Sequence, residues 1–287
     1  MGDGKNKLLQ TLHYSDIFSF PLTLDEIYYY FHSSKKTSKK TIEKYLSIAN
    51  EIDRNGDYFF LKGRKNTAIF RQKNEDIFAA KLEKAQKIAE NLSWIPTIYF
   101  IGLSGSLGAG AASGESDIDF FIITQKKYIY FTRFFCILFL RLTGNLRRRN
   151  QKYAPDKICL NMFLSEEELM FSRKTRNIYT AREIAQIEPL FERGGTYKRF
   201  LRQNIWVGDF LANSLTGKSR KFIRKNMSTM KYLQWFEYLL RIVQLSFIKR
   251  HQTTENVTNN ALFFHPNDKK MIVLSEYYRR IKKANLL

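Results

Sequence analysis

The sequence predicts an α+β protein in which a core of strands and helices lies between two largely helical regions. Residues 1–75 contain three short helical patterns followed by a hairpin signal, whereas residues 76–195 alternate short apolar runs with helical patterns. Residues 196–287 are helical in pattern and rich in basic residues. Apolar residues spaced three or four apart predict helices, and short apolar runs between turn residues predict strands. We therefore expect three domains with these boundaries.

The first domain begins with a predicted helix over Lys7–Phe18, which ends before Pro21. A second helix is predicted to start at Thr23 and to run through Phe31. Thr23 and Glu26 have the spacing of a capping box, in which each side chain satisfies a backbone amide that is free at the start of a helix. These segments predict a pair of short helices joined by a proline-containing turn.

A third helix and a hairpin complete this domain. Ser38–Asn50 places its apolar residues on one face, and Asn55-Gly56 before the apolar run Tyr58–Leu61 is a strong signal for a tight turn. Three short helices and a hairpin predict a winged helix-turn-helix. That fold often places its third helix in the major groove of DNA, but it also serves as a protein–protein module. A net charge of only +4 over residues 1–75 leaves both possibilities open.

The second domain is predicted to combine strands and helices around one buried sheet. Its predicted elements, in chain order, are a helix over Asn74–Leu92, a strand over Thr97–Gly102, a strand over Asp117–Thr124, a helix over Tyr128–Leu142, a strand over Lys157–Leu164 and a helix opened by a second capping-box pattern at Thr180–Glu183. The helix over Tyr128–Leu142 contains two arginines and is too short to span a bilayer. We expect it to be buried, with an interfacial membrane helix as the alternative.

The third domain carries most of the net charge. Of the formal +21, residues 196–287 contribute +13, from 18 basic against 5 acidic residues. A one-sided positive field attracts polyanions, so nucleic acid is the first candidate partner and an acidic membrane surface the second. A basic surface that only aids solubility is the alternative. Helical patterns dominate this domain, with an apolar segment over Tyr232–Ile248 and a polar stretch over Gln252–Asn260.

Cysteine usage and the N-terminal residues bear on the compartment. Cys136 and Cys159 both lie in apolar runs, and the chain has no other cysteine. This pattern argues against a zinc cluster or a disulfide framework and suits a reducing compartment. The first residues, MGDGKNK, lack the apolar stretch of a signal peptide. We therefore expect a cytoplasmic protein without stable membrane insertion.

The segment most informative about chemistry is YFIGLSGSLGAGAASGESDIDFFIIT, over residues 99–124. A predicted strand leads into Gly105-Ser106, and a loop of small residues then leads to Ser116 and the next strand. Gly105 lets the backbone approach a phosphate closely, Ser106 offers it a hydroxyl, and successive amides in such a turn form an anion cradle. We therefore predict that Gly105, Ser106 and Ser116 bind a phosphate-bearing cofactor or substrate.

Asp117 and Asp119 lie two residues apart on a predicted strand, so their side chains face the same side. Two adjacent carboxylates repel each other unless a cation lies between them, and oxygen ligands suit Mg²⁺ or Mn²⁺. Metals held there can polarise a phosphate and activate an attacking hydroxyl. An isolated Asp-x-Asp is usually a solvated turn, and metal-dependent glycosyltransferases also use this motif. The Gly-Ser turn upstream, with apolar strands on both outer sides, favours a catalytic metal site.

Gly105-Ser106 followed by Asp117-x-Asp119 resembles the signature of the DNA polymerase β-like nucleotidyltransferase superfamily, and Ile98–Leu164 would cover its core. The resemblance implies a mixed sheet flanked by helices, the binding of an NTP and Mg²⁺, and transfer of a nucleotidyl group to an acceptor. It also implies that Asp117 and Asp119 bind the metal and that Gly105 and Ser106 bind the triphosphate. The acceptor is RNA, DNA, a protein or a small molecule, and the basic charge favours a nucleic acid such as tRNA.

Members of the superfamily usually add a third carboxylate on a neighbouring strand, and the best-placed residue here is Asn161. An asparagine can bind a metal through its carbonyl oxygen but cannot accept a proton as a base. We therefore expect Asp117, Asp119 and Asn161 to form the catalytic set. The alternative is a non-catalytic protein that senses a nucleotide at this site and binds DNA through the winged helix.

Further segments are similar to a prokaryotic subset of the superfamily that carries an N-terminal winged helix. They are Asp16–Phe18, Pro21–Thr23, Thr180–Glu183, Asn204–Val207 and Phe264–Pro266. This similarity spans nearly the whole chain but implies no particular substrate. In addition, the arginine run Arg147–Arg149 precedes the third predicted strand of the core, where it either holds a phosphate or lies solvated in a loop.

Overall fold

The computed structural model describes residues 2–148, 151, 153–218, 221–230, 233–251, 256–264 and 268–286. Within these residues the protein is α+β, as the sequence predicts, with eleven α-helices, nine β-strands and three short 3-10 helices. The α-helices are α1 (Gly2–Asp16), α2 (Leu24–Tyr29), α3 (Lys39–Ile48), α4 (Lys65–Lys73), α5 (Glu75–Leu92), α6 (Gly105–Gly108), α7 (Ile129–Leu142), α8 (Ile178–Ala185), α9 (Thr196–Gln203), α10 (Gln234–His251) and α11 (Asp268–Lys283). The strands are β1 (Ile52–Asn55), β2 (Tyr58–Leu61), β3 (Ile98–Leu103), β4 (Ile118–Thr124), β5 (Ile158–Ser165), β6 (Glu188–Arg193), β7 (Ile223–Lys225), β8 (Asn256–Val257) and β9 (Ala261–Phe263).

Seven of these strands form one mixed sheet in the order β7-β6-β3-β4-β5-β9-β8. The pairs β4–β5 and β6–β7 are parallel, and the other neighbouring pairs are antiparallel. The central strand β4 is buried along its whole length because apolar clusters cover both faces of the sheet. Phe120 and Ile122 pack on the face covered by α5 and α7, whereas Phe121 and Ile123 pack on the face covered by α8 and α11.

Five of the six predicted elements of the core are confirmed almost residue for residue. β3, β4, β5, α5 and α7 each begin one residue later than the sequence predicts. The apolar helix α7 begins inside the protein, where the amides of Tyr130 and Phe131 donate to the carboxylate of Glu237 on α10. Such bonds satisfy amides that every helix start leaves without an intrahelical partner. In the described part of the chain, no helix is both long enough and apolar enough to cross a membrane.

The N-terminal module, residues 2–75, contains three helices and a hairpin in the predicted order, followed by a fourth helix, α4. The capping box at the start of α2 is present. The hydroxyl of Thr23 accepts from the amide of Glu26, and the carboxylate of Glu26 accepts from the amide of Thr23. Leu22 forms an antiparallel bridge to Phe59, so a third segment of the chain pairs with the hairpin at one position.

The turn of the hairpin lies one residue further along than predicted. β1 and β2 pair Asn55 with Tyr58, so the turn residues are Gly56 and Asp57 rather than Asn55 and Gly56. Gly56 has a φ of +58°, and it is the only one of these four residues with a positive φ. The physical reason is that one glycine in the left-handed region is enough to reverse the chain here. The helix α4, which follows the hairpin, was not predicted.

The second predicted capping box is wrong. α8 begins at Ile178, and its cap is Asn177, whose side-chain oxygen accepts from the amide of Thr180 at 3.0 Å. The hydroxyl of Thr180 instead donates to the carbonyl of Thr175 at 2.7 Å. Asparagine is at least as good a helix cap as threonine, so the cap lies three residues upstream. The proline expected to follow this helix lies within β6.

The region from residue 196 onward is helical only in part. It contributes β7 to one end of the central sheet and β8 and β9 to the other, and none of the three was predicted. These strands are two or three residues long, which is too short for a periodic pattern to show. The region also packs on the N-terminal module, where Nδ1 of the buried His32 lies 3.0 Å from the hydroxyl of Tyr277 on α11.

Two of the segments singled out in the sequence, Asp16–Phe18 and Thr180–Glu183, lie where these regions meet. Asp16 accepts hydrogen bonds from two arginines, one in the N-terminal module and one on α11. Arg182 stacks on the ring of Tyr30, 3.7 Å from the ring centroid. These contacts give the segments a role in joining the parts of the fold. His265 and Pro266, and likewise the arginine at position 149, lie outside the described residues.

Candidate functional site

The glycine-serine turn packs directly against the second aspartate. β3 ends at Leu103, α6 follows after Ser104, and the amide of Ser104 donates to the carbonyl of Asp119 at 2.9 Å. Gly105 has a φ of +60°, and a Cβ added there would lie 2.2 Å from Oδ2 of Asp119. Only glycine fits both the backbone conformation and the space. Antiparallel pairing of β3 with β4 therefore brings the predicted phosphate-binding turn and the predicted metal ligand together.

The two serines predicted to bind the nucleotide lie in the same loop region. Ser106 is half-buried in α6, and its carbonyl accepts from the amide of Ala111 at 2.8 Å. The hydroxyl of Ser116 accepts from the amide of Ser113 at 3.0 Å, so it folds the loop that leads into β4. The buried Lys81 of α5 holds this loop by donating to the carbonyl of Ser116 at 2.7 Å. These hydrogen bonds hold the loop in place from the side of α5.

Three potential metal ligands meet at the start of β4 and β5. Asp117, Asp119 and Cys159 each offer one ligand atom, and these atoms lie within 4.8 Å of one another. Asp119 and Cys159 are register partners on the two parallel strands. In the sequence alone, Cys159 is only one residue of an apolar run. The signal that would have identified it is the register, because the first residues of the two strands are paired.

Burial governs the electrostatics of Asp119. Its side chain is only 7% exposed, and among the described residues Oδ1 has no hydrogen-bond partner. Burial, reinforced by the neighbouring charge of Asp117, raises the pKa of Asp119 to about 7. The thiol of Cys159 and the more distant charges of Lys269 and Arg147 offset part of this increase. A buried carboxylate with an unused oxygen is a group that a cation would stabilise.

Asp117 is paired with Arg147, which lies in the connection between α7 and β5. The guanidinium Nη1 donates to Oδ2 of Asp117, and both side chains are partly exposed. Burial and the charge of Asp117 act in opposite directions on the pKa of Arg147, which is raised overall. Of the predicted arginine run, Arg147 is thus paired with a carboxylate of the protein itself, and whether it holds a phosphate stays a prediction. Arg147 places a cation beside the acidic pair.

Asn161 lies close to the glycine-serine turn. It is buried at a register irregularity between β4 and β5, where Phe120 pairs with Leu160 and Phe121 pairs with Met162. Its Nδ2 lies 3.4 Å from the hydroxyl oxygen of Ser104, a long hydrogen bond. The residue directly across from Asp119 is Cys159, two positions earlier. Asn161 therefore contacts the residue before Gly105, and Cys159 completes the group of potential ligands.

A cavity of about 450 Å³ lies at the other end of α6, between the N-terminal module and the core. Gly108, at the end of α6, lines this cavity, whereas Gly105, at the start, borders Asp119. Lys218 also lines it, and its Nζ donates to the carbonyl of Gly108 at 2.8 Å and pairs with Glu188 at 3.2 Å. Lys218 therefore holds α6 in place and is not a free surface charge.

No protein-family model, curated protein or solved structure matches this chain.

Proposed function

We propose that the chain is a metal-dependent nucleotidyltransferase of the DNA polymerase β-like type, which moves a nucleoside monophosphate from an NTP to a hydroxyl of an acceptor. The observation that carries the proposal is the close approach of Gly105 to Asp119. It joins a turn suited to phosphate with a carboxylate pair suited to a cation at the carboxyl end of β3 and the amino end of β4.

The donor set fits a divalent cation. The buried Oδ1 of Asp119 has no hydrogen-bond partner within the described part of the chain, and the carboxylate of Asp117 lies beside it. Asp117 and Asp119 would hold Mg²⁺ or Mn²⁺, and a metal in this position would stabilise charge on the phosphates and activate the acceptor hydroxyl. Gly105 and Ser106 would hold the triphosphate. Arg147 would pass from Asp117 to a phosphate oxygen when the nucleotide enters, because an arginine binds phosphate as readily as carboxylate.

A nucleic acid is the acceptor class that the charge supports best. Residues 196–287 carry a net +13, and the field of such a region concentrates polyanions near the protein. The N-terminal module, interpreted as a winged helix, is a second candidate contact surface for DNA or RNA. A tRNA is one acceptor consistent with both features.

A non-catalytic nucleotide sensor that binds DNA is the second candidate. The observation in its favour is that the group of ligand atoms around Asp119 is completed by Cys159 rather than by a carboxylate. Among the described residues no third carboxylate joins this group to act as a base for the acceptor hydroxyl, and a sensor needs no such base. Both candidates predict metal-dependent nucleotide binding, but only the transferase predicts turnover.

The test is to incubate the full chain with each labelled NTP, with Mg²⁺ or Mn²⁺ and with total cellular RNA. A transferase releases pyrophosphate and incorporates label, whereas a sensor binds the nucleotide without either. Asp117→Asn and Asp119→Asn should abolish release, and Asp57→Asn, an exposed aspartate in the hairpin turn, is the matched control. Nucleotide binding that is unchanged in both active-site variants would overturn the proposal.

A further inference from the structure

We propose that Cys159 is the third protein ligand of this site, and that the site consequently prefers a borderline transition metal of the Zn²⁺ class to Mg²⁺. The inference rests on the proposed function for the existence of a metal site at the acidic pair, Asp117 and Asp119. It adds the identity of the third ligand and the class of metal that this ligand selects.

The sheet places the thiol where a ligand is needed. β4 and β5 are parallel with Asp119 opposite Cys159, and the three candidate ligand atoms all lie within 4.8 Å of one another. Ligand atoms about 2.0–2.3 Å from a tetrahedral zinc ion are themselves about 3.5 Å apart. Small side-chain rotations therefore suffice to bring Asp117, Asp119 and Cys159 onto one ion.

A second observation points to a ligand at the same place. Asp119 is more than nine-tenths buried, and its Oδ1 has no hydrogen-bond partner among the residues that the structure describes. Buried polar atoms in native proteins are nearly always satisfied, so an unpartnered oxygen beside two further ligand atoms marks a position that a cation would fill. The alternative third ligand, Asn161, has its amide nitrogen 3.4 Å from the hydroxyl of Ser104.

Ligand chemistry then decides the metal. A thiolate is a soft ligand that suits zinc, whereas Mg²⁺ demands hard oxygen ligands in near-octahedral geometry. Three protein ligands with a fourth position left open is the arrangement of catalytic zinc sites, and a nucleotide phosphate oxygen or a water molecule can take the open position. Binding replaces the proton of the Cys159 thiol by the metal and releases that proton to the solvent.

Cobalt(II) is the probe, because it takes the place of zinc and reports a sulfur ligand directly. Titration of the full chain with Co²⁺ should produce a thiolate-to-cobalt charge-transfer band in the near ultraviolet. Cys159→Ser should remove the band. Cys136→Ala should keep the band, because Cys136, the chain's only other cysteine, is fully buried in α7.

Zn²⁺ affinity gives the second readout. Losing a residue that merely orients a metal ligand costs about 10–100-fold in affinity. Cys159→Ser should weaken Zn²⁺ binding by at least the upper end of that range while leaving Mg²⁺ binding within about 3-fold of the wild type, since both carboxylates remain. Cys159→Asp should reverse the preference by tightening Mg²⁺ binding.

The results separate this inference from the proposed function. Wild-type protein that binds Co²⁺ without the band, or Cys159→Ser protein that binds Zn²⁺ as tightly as wild type, overturns the inference. Protein that binds neither ion also overturns it. Mg²⁺-dependent pyrophosphate release is scored independently. Release without a band leaves the proposed function standing alone, and a band without release with any metal leaves only the metal site standing.

Discussion

Gly105 and Asp119 pack so closely that a methyl group on the glycine would lie 2.2 Å from the carboxylate oxygen Oδ2. Among the glycines that the structure describes, no other has Asp117 or Asp119 among the nearest contacts of an added Cβ. The turn after β3 and the ligand on β4 are consequently one structural unit. A substitution that adds a side chain at Gly105 should therefore displace the carboxylate of Asp119.

Gly105→Ala should therefore destabilise the fold and weaken metal binding together. The left-handed backbone alone costs a non-glycine residue about 1–2 kcal/mol, and the clash with Asp119 adds to it. In an Asp119→Ala background the closest contact disappears, so the cost of Gly105→Ala should fall to about 1–2 kcal/mol. Urea unfolding of the four proteins of this double-mutant cycle measures the coupling.

Gly63→Ala supplies the control for that cycle. Gly63 has a φ of +82°, and a Cβ added there would meet nothing within 4 Å. Its substitution isolates the backbone cost from the clash. Equal losses for Gly63→Ala and Gly105→Ala, with no coupling to Asp119, would contradict the close packing.

The stability of the metal-free protein should depend on pH through Asp119. Its folded-state pKa is raised to about 7, whereas an unfolded aspartate titrates near pH ~3.9. Between these values the folded state binds the extra proton, so stability falls as pH rises from about 4 to about 7 and stays reduced above that. Each pKa unit is worth about 1.4 kcal/mol, so the effect is on the order of a few kcal/mol.

Asp119→Asn removes this dependence. In the presence of a chelator, the variant should be more stable than wild type at pH 8, and the difference should shrink at pH 5. Thermal unfolding at both pH values checks the sign, with the exposed Asp57→Asn as control. A wild type that gains stability between pH 5 and pH 8 relative to the variant would show that Asp119 is already stabilised by a partner.

The residues of this site that lie close together in the sequence could be predicted, whereas the residue brought in by strand pairing could not. Asp117, Asp119 and Gly105 were found because their spacing and their turn are local features. Cys159 was missed because its role depends on pairing between β4 and β5, which lie some forty residues apart in the chain. A one-residue change of register would have placed a different residue opposite Asp119.

The length of a helix or strand decides whether it can be predicted from the sequence. The helices α5 and α7 and the strands β3, β4 and β5 have enough residues for a periodic pattern, and each begins one residue after its predicted start. The buried strand β6 was not predicted. The edge strands β7, β8 and β9 have two or three residues each, and they are strands because the edge of the sheet offers them backbone partners. Tertiary pairing of this kind leaves little trace in the local sequence.

Substituting Asn161 or Cys159 by aspartate shows which of the two residues lies closer to the bound metal. Asn161→Asp should strengthen Mg²⁺ binding and raise any transfer, because it adds a negative charge beside the turn at Ser104. Asn161→Ala should weaken metal binding. Pyrophosphate release over a Mg²⁺ and Mn²⁺ series, with Cys159→Asp in parallel, compares the two positions. Metal affinity indifferent to both Asn161 substitutions would limit this residue to holding Ser104.

The basic region after residue 196 should supply most of any affinity for a polyanion. If several phosphates are contacted, log affinity falls linearly with log salt, and removing contacts flattens the slope. A suitable set for neutralisation is exposed in the structure and comprises Lys198, Arg202, Lys221, Lys282 and Lys283. Lys218, Arg224 and Lys225 are less suitable because they hold other parts of the protein, and Arg220 lies outside the described residues.

The matched control tests the N-terminal module. Lys40 and Lys44 are exposed on α3, the helix that a winged helix-turn-helix would place against DNA. RNA and DNA titrations of the two neutralised proteins over a salt series compare the surfaces. A slope that flattens only in the Lys40 and Lys44 variant would move the contact from the C-terminal region to the module.

Arg147 should affect the metal and the nucleotide in opposite directions. In the nucleotide-free protein its guanidinium pairs with Asp117, so it competes with a metal for that carboxylate. Arg147→Gln should therefore tighten metal binding in the absence of nucleotide. It should also raise the KM for NTP by about 10–100-fold, because hydrogen bonds to charged groups contribute about 1.5–3 kcal/mol and the phosphates would lose one cation. Calorimetry with metal alone and initial rates over an NTP series measure the two effects.

Arg141→Gln, at the exposed end of α7, controls for the loss of a positive charge. Because a partly exposed ion pair contributes only about 0–1 kcal/mol to stability, the fold should hardly change. Metal and nucleotide affinities that shift in the same direction would mean that Arg147 only positions Asp117 and does not transfer to the phosphates.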